Sequence, residues 1–153
     1  MDTNIAKLIL ENGLGDRLKS LVMPAVRRMF ATIEGKDLIE TCRLIRLRLK
    51  ITHLSTITGL DTGERFEVLY HFAIKDLVLT LKIPVERHHP LLPTTIGIYP
   101  AAIFYEREVH DLLGIHFEGH PDLRPLVLPE GWPEGVFPLR KDWKYNREEG
   151  VIQ

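Results

Sequence analysis

Residues 105–143 read YEREVHDLLGIHFEGHPDLRPLVLPEGWPEGVFPLRKDW, an order of acid, base, glycine, proline and aromatic that core burial alone does not require. The stretch begins inside a helix. Pro100 suits a first helical turn, where its missing N–H would have no partner, and residues 101–113 continue as strong helix formers. Ile103, Val109, Leu112 and Leu113 can face a core, while Glu106 and His110, and Arg107 and Asp111, stand four apart on neighbouring rows. Gly114 is the natural stop. Five prolines then precede Asp142, so the chain beyond Gly114 is expected to be an extended arm held by what it touches. The expected organisation is a globular domain over residues 1–114 and an arm for partner docking over residues 115–153.

Upstream, Ile5, Leu8, Ile9, Leu14, Leu18 and Leu21 recur at helical spacing over residues 4–21, in a run interrupted by Gly13 and Gly15. Residues 27–34 alternate as a strand, with Met29, Ala31 and Ile33 on one face. A helix comes next, carrying Leu38, Ile39, Cys42, Ile45 and Leu49 on one side. Residues 51–60, 64–74 and 77–85 alternate with period two and are joined by polar breaks at Asp61-Thr62-Gly63 and Lys75-Asp76, the pattern of an antiparallel meander. Residues 87–95, with His88, His89, Pro90 and Pro93, read as a loop. The fold expected is α+β: a mostly antiparallel, four-stranded sheet covered by helices, with the Pro-rich arm appended.

Composition narrows the function classes. The 153 residues are 44% hydrophobic and 27% charged, enough for one core. Twenty basic and twenty-one acidic side chains give a net charge of -1, which supplies no general attraction to nucleic acid. Cys42 is alone, so a reduced, cytosolic setting is expected, with Cys42 as a small core residue. No apolar run approaches the roughly 20 residues of a membrane span.

Two catalytic arrangements can be weighed. His110, His116 and His120, with nearby carboxylates, contain metal-ligand chemistry and would serve a stand-alone metal-dependent enzyme. Their spacing opposes it, because His110 and His116 are six apart across a helix-ending glycine. Glu106, Glu108 and Asp111 could suggest an acid/base group, but residues 106 and 108 point about 200° apart on a helix; pairing with Arg107, Arg124, Arg140 or Lys141 is the expected role. No phosphate-binding glycine loop, Cys-x-x-Cys pair or nucleophile elbow occurs. What remains is Trp132, Phe137, Trp143, Arg124, Arg140 and Lys141 on a proline-stiffened chain, the composition of a protein–protein contact. An arm laid over a partner fits this best; an arm folded back on its own domain is the plainer alternative.

The same residues resemble the hydrophilic "30-kilodalton" subunit, or C subunit, of respiratory complex I, the NADH:quinone oxidoreductase. The signature pieces are Tyr-Glu-Arg-Glu at 105–108, Asp-x-x-Gly-Ile at 111–115, Gly-His-Pro-Asp-Leu-Arg at 119–124 and Pro-Leu-Arg-Lys-Asp-Trp at 138–143. The family also serves group 4 membrane-bound NiFe hydrogenases and formate hydrogenlyase. Pro125 after Arg124, and Gly135-Val136-Phe137 before Pro138, lean toward that hydrogenase branch, with the C subunit of NADH:quinone oxidoreductase as the alternative.

The resemblance implies a subunit of an ion-translocating oxidoreductase complex with no active site and no cofactor of its own. The NiFe centre and iron–sulfur clusters would lie in partner chains. The implied partners are the hydrogenase-like large subunit and an iron–sulfur subunit, with antiporter-like membrane subunits reached indirectly, at the cytoplasmic face of the membrane. The expected partner-interface residues are Glu106, Arg107, Glu108, Asp111, His120, Asp122, Arg124, Trp132, Phe137, Arg140, Lys141, Asp142 and Trp143. A free regulatory binding module is the remaining class.

Overall fold

The computed structural model describes residues 3–74, 76–146 and 151–152, and side chains only for residues 3–73 and 76–144. Lys75 and the arm residues 147–150 and 153 lie outside the described residues. Helix α1 (Thr3–Leu14) buries Ala6, Leu10 and Leu14, four apart along one stripe, and Gly15 at φ +52° ends it in a single 3-10 turn. The helical run expected to Leu21 therefore stops early. Residues Ser20–Ala25 form strand β1 instead, so the sheet has five strands rather than four. Pro24 obscured this strand in the sequence; it is tolerated because β1 is an edge strand with a register shift between Val22 and Ala25.

The remaining large elements are β2 (Arg28–Thr32), α2 (Leu38–Arg48), β3 (Leu54–Asp61), β4 (Phe66–Ile74) and β5 (Leu77–Val85). The sheet order is β1-β2-β5-β4-β3, antiparallel throughout except for β2 beside β5. Alternation puts Met29, Ala31, Phe66, Val68, Tyr70, Phe72, Leu79, Leu81 and Ile83 into one core with Leu38, Cys42 and Ile45 of α2. Burial pushes the Cys42 thiol upward, consistent with its place as a core residue.

Two further strands fall where loops were expected. β6 (Leu91–Pro93) pairs in parallel with β7 (His116–Glu118), and between them lies α3 (Ala102–Leu113). Ile115 and Phe117 are fully buried, so the chain after Gly114 still belongs to the body, and the extended arm leaves it only after Glu118. Three-residue strands escape periodicity because so few alternations fit in them. A two-residue ladder, β8 (Tyr145–Asn146) with β9 (Val151–Ile152), lies near the end of the arm.

Helix α3 approaches β3 closely at Gly59, where an added Cβ would stand 2.4 Å from Leu113 Cδ1 and 3.1 Å from Val109 Cγ1. Both contacts are buried core atoms, so overpacking outweighs the strand propensity gained by a branched side chain. Gly59→Val is expected to lower stability by about 1–3 kcal/mol, read from the urea midpoint. A midpoint unchanged or raised would contradict this packing.

Candidate functional site

The polar side chains of α3 hold loops rather than one another. Glu106, fully buried, accepts hydrogen bonds from the Thr94 hydroxyl and from the Thr95 amide and hydroxyl, the last two at 2.8 Å. Burial raises its pKa, and those three donors oppose the rise. Arg107 donates to the carbonyls of Arg124 and Pro125 at 3.0 Å. His110 Nδ1–H donates to the Ile115 carbonyl at 2.9 Å. Asp111 Oδ2 accepts the backbone N–H groups of Leu126, Val127 and Leu128 at 3.1, 2.8 and 2.9 Å.

The pairing expected of these carboxylates with arginines is thus replaced by backbone and hydroxyl donors. Fixed amides satisfy a buried carboxylate without desolvating a guanidinium as well. Glu106 lies too deep to meet a partner, whereas Glu108 stays exposed beside Val109 and Leu139.

His120 anchors the start of the arm. The Asp122 N–H donates to Nδ1 at 3.0 Å, so Nε2 carries the proton and donates to the Ile103 carbonyl at 3.0 Å. Asp122 and Arg124 form a two-pronged pair at 2.8 and 2.9 Å, and the Arg124 hydrogen bonds hold the Asp122 carboxyl well below its usual range. Arg124 is mostly solvated, so this pair orders the loop more than it stabilises the fold.

The arm returns to the body at residues 137–142, folded back on its own domain. Leu139 N–H reaches the Leu112 carbonyl at 3.1 Å, and Arg140 Nε the Leu113 carbonyl at 2.8 Å. The Arg140 guanidinium lies 4.4 Å from the Phe137 ring centroid and 5.1 Å from that of Phe66. Its burial lowers its pKa. Gly114, at φ +73°, permits this approach: a Cβ there would stand 2.5 Å from Phe137 and 2.6 Å from Arg140.

Beside them Asp61, with 1% of its side chain exposed, accepts from Gly63 N–H, Lys141 N–H and Arg87, and Arg87 also meets Asp142 at 3.1 Å. The Trp132 and Trp143 rings lie tilted by 38° with centroids 6.3 Å apart, and Trp132 Nε1 donates to the Val136 carbonyl at 2.8 Å. Asp61, Phe66 and Arg87 were not singled out in the sequence as site residues. Asp61 reads there only as part of a hairpin turn and Arg87 only as a loop residue.

The histidines do not assemble. His110 and His116 meet edge to face at 6.3 Å, both His120 nitrogens engage backbone, and among the described residues no three His, Cys, Asp or Glu side chains converge as a metal site. The geometry positions a docked arm.

This fold recurs in a chain of a respiratory membrane complex and in Nqo5. A chain in the structure of the membrane-bound sulfane sulfur reductase, an archaeal respiratory membrane complex, matches with TM-score 0.79 and 26% identity, over 91% of this chain and 83% of that one. The trypsin-resistant fragment of Nqo5 matches with TM-score 0.67 and 26% identity, over 77% of this chain and 98% of that one. Residues 31–149 match the family described as the respiratory-chain NADH dehydrogenase 30 Kd subunit, and the chain belongs to that family.

Among relatives, the C subunit of the F(420)H(2) dehydrogenase of Methanosarcina mazei is 37% identical, over 76% of each chain. The NADH-quinone oxidoreductase C subunit of a Roseiflexus species is 38% identical, over 76% of this chain and 70% of its own. The membrane-bound hydrogenase subunit beta of Pyrococcus furiosus is 33% identical, over 81% of this chain and 75% of its own. These homologues are subunits of oxidoreductase complexes. No described helix of this chain is long and apolar enough to cross a membrane.

Two outcomes test the site. Burial raises the Asp61 pKa, but Arg87, Lys141 N–H and Gly63 N–H outweigh it and bring the carboxyl from 3.8 to about 2. A depressed carboxylate stabilises the fold above its unfolded pKa and loses that contribution as pH falls through the folded value. Arm docking, followed by Trp fluorescence, should therefore weaken between pH 3.8 and about 2. Asp61→Asn should cost about 1–3 kcal/mol at neutral pH and flatten that acid limb; an unchanged acid limb would contradict the assignment. Asp111→Ala should speed hydrogen exchange at the amides of residues 126–128 by at least about tenfold, the loss of about 1.4 kcal/mol. Unchanged protection there would refute the three-amide anchor.

Proposed function

We propose that this chain is a non-catalytic, cofactor-free subunit of a complex I-like membrane complex, and that its arm is the element other subunits pack against. Family membership and the names of its relatives support the complex. The observation that carries the docking role is the disposition of apolar surface. The arm is fixed to the body by the Asp61–Arg87–Asp142 and Arg140–Phe66 contacts, yet Leu126, Val127 and Leu139 remain 41%, 53% and 53% exposed, with Phe104 of α3 at 58%.

Large apolar side chains held outward on an ordered segment mark an interface, because the entropy of arranging them is already spent before a partner arrives. The partners in this reading are a large subunit resembling the NiFe hydrogenase catalytic chain and an iron–sulfur subunit, at the cytoplasmic face. The redox centres belong to those partners.

Within the family, Pro125 and Gly135-Val136-Phe137 favour the hydrogenase branch, and the Pyrococcus hydrogenase protein is among the relatives. The Roseiflexus relative favours the NADH:quinone branch as the second reading.

Tagged chain recovered from membranes in mild detergent is expected to bring down a hydrogenase-like large chain and iron–sulfur protein. Nickel in that material selects the hydrogenase branch; flavin with NADH oxidation selects the other. Arg140→Ala should reduce recovery of the large chain by about tenfold or more, while turnover per assembled complex stays unchanged. A monodisperse 17.6 kDa protein would sink the assembly role, as would normal assembly with lost turnover.

A further inference from the structure

A second surface lies between α1 and α2, lined by no described residue of the arm. It is a groove of about 570 Å³ with Ile9 and Leu44 in its floor. Ile5, Leu8 and Leu47 stand along it 52%, 55% and 61% exposed, although each sits on a helix whose opposite side is buried in the core. At one end the helices close on each other at Gly13, where an added Cβ would lie 2.2 Å from Leu44 Cδ1.

Charge over the groove is one-sided. Arg17, Arg43 and Arg48 line it, and the single acid there, Glu40, is already engaged by Arg43. Arg17 touches Asp37 only at 3.9 Å, and Arg48 completes the last turn of α2, where a cation also complements the helix dipole. In a nearly neutral chain the lining thus carries three arginines against one glutamate, a net charge of +2 around an apolar recess.

We propose that this groove receives an amphipathic helix of another protein chain, with its apolar side chains in the recess and Asp or Glu residues along the edge facing the arginines. Helix-in-groove recognition needs this combination: a row of apolar sockets for residues one turn apart, and flanking charge that sets the register. A recess favours a row of inserted side chains over a flat bilayer surface, which would press on an apolar ridge instead.

The test is made in cells expressing the full-length chain, with a photoreactive benzoylphenylalanine in place of Leu8 or Leu47 and, as control, of Val26, which is 83% exposed and does not line the groove. Both groove positions are expected to crosslink one other protein, at a peptide within a helical run rich in Asp and Glu, and the control is not. The double variant Arg43→Glu with Arg48→Glu should reduce that adduct at least tenfold. Adducts with phospholipid, with a second copy of this chain or with a basic segment would each overturn the proposal, as would no adduct or one indifferent to the arginines. Because no described arm residue lines the groove and the adduct is read without purification, an arm that recruits no large subunit leaves this result standing.

Discussion

Every helix ends with carbonyls that no later helical residue can reach, and the last turn of α3 is the place where that requirement shapes the protein. The Leu112 and Leu113 carbonyls find their donors 27 residues along the chain, in the Leu139 N–H and the Arg140 side chain. For the donors to arrive there, Gly114 must lack a side chain, Phe137 must lie over it, and Arg140 must thread between two aromatic rings. The Asp61 carboxylate then takes the next amide, Lys141, and Arg87 takes Asp142. One helix terminus thereby commits the tips of three strands and the end of the arm to a single arrangement.

Along the same helix, two buried carboxylates do different work because of where their donors originate. Glu106 draws on Thr94 and Thr95, just beyond β6, and so ties the small parallel ladder to the core. Asp111 draws on three successive amides of the arm, and gives an otherwise unpaired stretch of backbone a fixed path. In both cases the acceptor oxygens of one carboxyl group replace the regular secondary structure that prolines and short length exclude. Charge-assisted hydrogen bonds are strong enough for that task.

Much of this was legible in the sequence where a pattern was long. The β3–β4–β5 meander, α2 and α3 each show several periods of alternation or helical spacing, and Gly114 marks its own stop. The Tyr105–Trp143 order carried the family. Pro24 concealed β1, since an edge strand can accept a proline that an interior one cannot. β6 and β7 are too short to show a period. The partners of Asp61 and Arg87 could not be read at all. Nothing local in a hairpin turn or a loop announces that its charge will meet residues 141 and 142, and the separation of 80 residues is bridged only by the folded sheet. The expectation that Glu106 and Asp111 would find arginines failed for a related reason: side-chain charge is visible in sequence, whereas a cluster of free amides is a property of backbone conformation.

The parallel pairing of β2 with β5 gives the chain a definite order of events. Strand β2 cannot be covered on that side until residues 77–85 have been made, a closure across some 50 residues. The seat for residues 137–142 is assembled from Asp61, Phe66, Arg87 and the end of α3, so it does not exist before the β3–β4–β5 meander and α3 have come together. The arm is also made after every element of that seat. Its docking therefore acts as a report that the meander and α3 have come together, and the apolar residues it carries are set in their final places only on molecules that have passed that point.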